Sequence, residues 1–189
     1  VLPARTADLQ GVPVAEVEKG LLMVFTGNGK GKTTSALGMT FRAIGHGKKV
    51  CFIQFIKGSW KYGELEAAKR FDDLLDFHVM GRGFTWKSDD LAKDIALARE
   101  GWEFAKKIIA GNQYQLVVLD ELTYLASYKM IDEQEIVDVL TGRDPSLHVV
   151  VTGRGAGEKL CRAADLVTEM REIKHHYKQG IKAQKGIEF

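Results

Sequence analysis

Cysteine and proline are scarce in this chain, and no apolar run is long. Only Cys51 and Cys161 occur among 189 residues, and they form no CxxC pair. That excludes a disulfide-built scaffold, and no Cys/His cluster has metal-ligand spacing. Cys51 lies within an apolar run and is expected to be a buried, reduced core residue. Three prolines, Pro3, Pro13 and Pro145, argue for regular elements over irregular coil. No stretch approaches the roughly 18 apolar residues of a membrane span. Residues 1–20 contain no apolar core of a signal peptide, so a cytoplasmic location without membrane contact is expected. An excess of charge of one sign is also missing. With 27 basic and 25 acidic residues the net charge is +2, too balanced for nucleic-acid or membrane binding by bulk electrostatics.

What is present suits one globular domain. The chain is 45% hydrophobic, with no linker, repeat or low-complexity tract. Residues 1–20 are weakly patterned and read as an N-terminal arm containing VPVAEVEK; residues 21–189 form the domain. LLMVF (21–25) is a continuous apolar run, as in a strand buried on both faces. SALGMTFRAIG reads as a helix stopped by Gly45 and Gly47. Further strands are expected at 50–56, 75–80, 116–119, 148–152 and 166–170, and helices near 63–71, 122–140 and 157–164. The best-marked helix has Ser88 as N-cap, Asp89 and Asp90 at its positive end and Gly111 at its C-terminal cap. Leu91, Ile95, Ala98, Trp102, Ala105 and Ile109 share one of its faces.

Strands alternating with helices predict an α/β domain: a mostly parallel central sheet with helices on both faces. Such sheets bind ligands at the carboxyl ends of their strands. The loops after Phe25, Ile56, Met80, Leu119 and Thr152 therefore matter most.

The first of these loops is TGNGKGKTT (26–34). It fits the phosphate-loop pattern G-x-x-x-x-G-K-[ST] except that Thr26 replaces the first glycine. Gly27, Gly29 and Gly31 keep side chains out of the way, with Asn28 between them. Their N–H groups are expected to turn inward onto phosphate oxygens at a helix N-terminus that favours anions. Lys32 would reach the outer phosphates, Thr33 would place its hydroxyl on Mg²⁺, and Thr34 completes the loop. Lys30 adds a second positive charge. The bland alternative is a glycine-rich turn, but a buried strand before and a helix after are the context that phosphate binding requires.

LVVLDE ends the fourth strand in Asp120 and Glu121. Acids at that edge suit a Mg²⁺ ion beside the loop, bound directly or through water; alternatively they only end the strand. MGRGFTW puts Phe84 and Trp86 on a glycine-loosened loop. They either close over a flat ligand or pack in the core. Gln54 and Lys57 leave the second strand, with Trp60 and Tyr62 beyond, and Arg154 in TGRG is offered to an anion. His175 and His176 are adjacent and expected to point apart, as surface residues rather than ligands. The tail IKHHYKQGIKAQKGIEF reads as polar and basic.

The run TGNGKGKTT, QFIKGSWKYGE, GRGFTW, VVLDELTY, VVVTGRG and GIKAQKGIEF closely resembles the ATP:corrinoid adenosyltransferases of the cobalamin-biosynthesis type, in the same order from about Leu21 to Phe189. GRGFTW and GIKAQKGIEF are the most specific segments. The resemblance implies a RecA-like P-loop fold, a homodimer, Mg²⁺-ATP as adenosyl donor and a corrinoid acceptor whose cobalt, reduced to Co(I), attacks ribose C5′ and releases tripolyphosphate. It implies that Gly27 to Thr34 hold the triphosphate and that Glu121 belongs to the metal site. Phe84 and Trp86 match the aromatic pair that closes on the corrinoid and displaces its lower axial ligand. A reduced flavin or flavoprotein would supply the electron. Other classes compete on the motif alone: a RecA-like P-loop ATPase acting with nucleic acid, for which Lys174 to Lys185 would be the basic stripe; a small-molecule kinase, which should show an Arg-rich lid insertion that is not found; or a nucleotide-gated interaction module.

Overall fold

Each continuous apolar run becomes a strand, and each strand but the last leads to a helix. In a computed structural model, which describes residues 19–56, 62–81 and 91–188, the strands are β1 (Leu22–Thr26), β2 (Val50–Gln54), β3 (Leu75–Val79), β4 (Leu116–Asp120), β5 (His148–Thr152) and β6 (Leu166–Glu169). The helices are α1 (Lys32–Gly45), α2 (Gly63–Ala68), α3 (Leu91–Ala110), α4 (Thr123–Ser127), α5 (Glu133–Thr141) and α6 (Glu158–Ala163). The expected Ser88 cap with Asp89 and Asp90, the side chain of Leu91, the arm up to Glu18, and Lys57, Trp60, Phe84 and Trp86 lie outside the described residues.

The six strands form one sheet in the order β3-β2-β4-β5-β1-β6, with every pairing parallel. Alternate residues of each central strand enter opposite cores, as the period of two demands. Met23, Phe25, Val50, Phe52, Val118 and Val150 pack with Ala36 of α1 and Ala68 of α2. Leu22, Val24, Ile53, Leu119, Val149 and Val151 face the other way, with Trp102 of α3, Ile136 of α5 and Leu160 of α6. Burial on both faces is why these strands read as unbroken apolar runs. Trp102, Ala105 and Ile109 supply the buried stripe of α3, and Ile95 and Ala98 pack against the same core.

Three local expectations change. α1 starts at Lys32 rather than Ser35, because the end of the glycine loop is already the first helical turn. α3 ends before Gly111, but the left-handed residue is Asn112 at φ 49°; Gly111 closes the helix through its N–H to Ile108 O. Asn tolerates that conformation through its short polar side chain. Finally, the rings of His175 and His176 stack at 4.7 Å instead of pointing apart. His175 caps the short 3₁₀ turn His176–Gln179 by accepting the Tyr177 N–H, which draws its ring back along the chain.

Candidate nucleotide site

The loop between β1 and α1 is held from outside by β6. Gly29 N–H donates to Met170 O at 2.6 Å, so this group does not turn inward as the loop pattern suggests. A Cβ on Gly27 or Gly29 would stand 2.5 and 2.7 Å from that same carbonyl. Glycine is required here for close approach of two backbones. Thr26 explains its own departure from the pattern: its Oγ1 accepts the Ala156 N–H at 3.1 Å, tying the loop to the segment after β5.

α1 opens without a side-chain cap and without an acidic residue in its first turn. Its leading N–H groups and the helix dipole are thus directed at an anion. Lys32 is 8% exposed and folds back over the loop, donating to Gly27 O at 2.9 Å and Gly29 O at 2.7 Å. Burial pulls its pKa below the usual lysine value, and the nearby Glu121 carboxylate opposes that shift. Arg154 and Lys30 add smaller depressing contributions; Arg154 follows the end of β5 by two residues.

Asp120 is fully buried at the end of β4, and a buried carboxylate must be hydrogen-bonded. Thr33 Oγ1 donates to its Oδ1 at 2.9 Å and Thr152 Oγ1 to the same oxygen at 2.6 Å. Gln54, its register partner on β2, donates Nε2 to Oδ2 at 3.1 Å. A carboxylate only accepts, so the Gln54 amide must present its NH₂ side. Its Oε1 is left buried without a hydrogen-bond partner among the described residues. Asp120 therefore aims the Thr33 hydroxyl from within the protein. Glu121, half-buried, turns toward the cleft instead: it sits at φ 64°, rare for a non-glycine residue, with its N–H held by Thr152 Oγ1 at 2.9 Å. That turn places Glu121 on the wall of the cleft.

The cleft has a volume of about 410 Å³, within the range of small-molecule sites. Lys30 to Thr34 form its floor, Glu121 one side, and Gly63 and Glu64 another. Gly186, Ile187 and Glu188 of the tail close it. Of the residues singled out from the sequence, Lys30 to Thr34 and Glu121 line this cleft, Asp120 lies buried behind Thr33, and Arg154 is not among the lining residues. Sequence reasoning assigned no site role to Thr152, Glu64 or the tail, and noted Gln54 only as a strand exit. Asn28 and Thr34 are exposed on the loop. Among the described residues no group of three or more His, Cys, Asp or Glu forms a metal cage.

A glycine loop between strand and helix, a lysine over it, and a threonine–aspartate pair across an intervening strand define a RecA-like P-loop nucleotide-binding domain. The family is narrower than that. The family model described as ATP:corrinoid adenosyltransferase BtuR/CobO/CobP matches residues 18–189, and the chain belongs to that family. It is 48% identical to a corrinoid adenosyltransferase of Sinorhizobium sp., over 91% of this chain and 81% of that protein. Corrinoid adenosyltransferases of Pseudomonas aeruginosa and Escherichia coli K12 are 47% and 44% identical, over 93% and 94% of this chain and 86% and 90% of theirs.

Proposed function

We propose that the chain transfers the 5′-deoxyadenosyl group of ATP to the reduced cobalt of a corrinoid, giving an adenosylcorrinoid and tripolyphosphate. Family membership over almost the whole chain is the observation that carries this reading. The Co(I) electron pair forms a bond to C5′ while the C5′–O bond breaks, and its electrons leave with the triphosphate. The reaction needs no general base. It needs a held triphosphate, neutralised charge and exclusion of water.

The residues fit those needs. The uncapped start of α1, with Lys32 and Lys30, faces the phosphates, and Arg154 adds charge at the edge. Mg²⁺ travelling with ATP would supply neutralisation of the leaving group. Its hard oxygen donors would be Thr33, aimed by Asp120, and Glu121, with phosphates completing the shell; such a site requires no protein cage. Phe84 and Trp86 would close on the corrinoid and strip its lower axial ligand. A reduced flavin or flavoprotein would reduce the cobalt. We further propose a homodimer, with residues 1–20 as an arm outside the adenosyltransferase domain. No helix among the described residues is long and apolar enough to cross a membrane.

The test is anaerobic incubation of protein, Mg²⁺-ATP and chemically reduced corrinoid. A light-sensitive Co–C spectrum should appear, and little ADP should form when corrinoid is omitted. Corrinoid-independent ADP release without a photolabile product would return the chain to the ATPase class. For the aromatic pair, Phe84→Ala and Trp86→Ala should leave ATP affinity within about twofold while impairing turnover of cobalamin more than of corrinoids lacking a lower base. Equal loss on both acceptors would make these aromatics structural.

A further inference from the structure

The loop carries a second ammonium, Lys30, and the tail supplies its partner. Lys30 Nζ stands 3.6 Å from Glu188 Oε2. His176 Nε2 stands 2.8 Å from the other carboxylate oxygen, Oε1. The Glu188 side chain is 16% exposed and that of Lys30 46%. The Glu188 carboxylate is thus held mainly by its enclosure, its Oε1 making no hydrogen bond among the described residues, and it is only loosely joined to Lys30. A half-exposed ion pair at that separation contributes little, on the order of 0–1 kcal/mol. A polyphosphate with several negative charges in the adjoining cleft outcompetes it. Because the Glu188 side chain is mostly enclosed and that of Lys30 is half-exposed, the carboxylate stays in place when the ammonium swings away.

We infer that Glu188 is a positioning residue: it parks Lys30 beside the loop while the phosphate site is empty and takes it back as the inorganic product leaves. The inference rests on the loop being the triphosphate site. It assigns the GIKAQKGIEF segment a task in the reaction cycle. Tripolyphosphate keeps the full charge of the leaving group but has lost the nucleoside, so its release depends most on how readily the loop lysines give it up. An internal carboxylate that competes for one of them lowers the affinity for this product.

Titration calorimetry with inorganic tripolyphosphate and Mg²⁺, without corrinoid, tests this independently of adenosyl transfer. Glu188→Gln should bind tripolyphosphate about three- to fivefold tighter than the unaltered chain. Glutamine keeps the side chain's shape and removes its charge. In a Lys30→Ala background the same change should alter affinity by less than about twofold, since the two positions act as one pair. Unchanged or weaker binding in Glu188→Gln overturns the inference. So does an equal gain in the Lys30→Ala background, which would mean plain repulsion. If the unaltered chain binds no tripolyphosphate at all, the triphosphate reading of the loop fails and this inference fails with it.

Discussion

Lys32 has two partners in turn. In the structure it braces the loop through the Gly27 and Gly29 carbonyls, and with nucleotide bound it would reach the phosphates. Removing it therefore loses charge-assisted hydrogen bonds to the ligand, each on the order of 1.5–3 kcal/mol. Lys32→Ala should weaken Mg²⁺-ATP binding by roughly 10- to 100-fold and abolish turnover. Equilibrium binding decides it: unchanged affinity with normal turnover would refute the loop as the phosphate site. The residues around Asp120 show what a sequence conceals. Asp120 and Glu121 were legible because acids ending an apolar strand stand out. Gln54 and Thr152 were not, because their meaning comes from standing beside Asp120 across the sheet, 66 and 32 positions away. The sequence likewise shows Thr26 only as a small departure from the loop pattern, and not its bond to the Ala156 N–H.

At the level of elements, the strands were the most legible part, since burial on both faces writes itself as an apolar run. The helix starts were less so: α1 begins inside the motif, and no capping side chain marks the place. The tail was the least legible. Polar, basic and short of apolar periodicity, it offered a family-like segment and a basic stripe but no place in the fold, and Gly186 to Glu188 line the cleft, with Glu188 beside Lys30 and His176. At the opposite edge of the sheet, His148 opens β5 and accepts the Leu21 N–H on Nδ1 at 3.1 Å, which requires that nitrogen to be unprotonated. Burial lowers its pKa from 6.5, assisted by the charges of Lys48 and Arg143. The unfolded chain thus binds a proton that the folded chain resists, so this contribution to stability is present above that ordinary value and is lost as pH falls below it. Between about pH 7.5 and about 5.5, the unaltered protein should lose more stability in urea melts than His148→Gln does. Parallel losses would show that His148 does not report on this edge.

For the molecule as a whole, the strand order explains why one edge holds the chemistry. β5 lies between β1 and β4, so the loop and the acids face each other across a single strand and Thr152 joins them. That arrangement would clamp a triphosphate equally well for attack at phosphorus or at carbon; such a clamp alone does not choose the bond. Membership of the ATP:corrinoid adenosyltransferase family puts the attack on C5′. The direct measurement uses ATP carrying ¹⁸O in the bridge between C5′ and the α-phosphorus. Incubated anaerobically with the protein, Mg²⁺ and reduced corrinoid, it should yield tripolyphosphate that retains the label, because the C5′–O bond is the one that breaks. Label found instead in ADP, with unlabelled orthophosphate beside it, would place the cleavage at the γ-phosphorus and contradict the account.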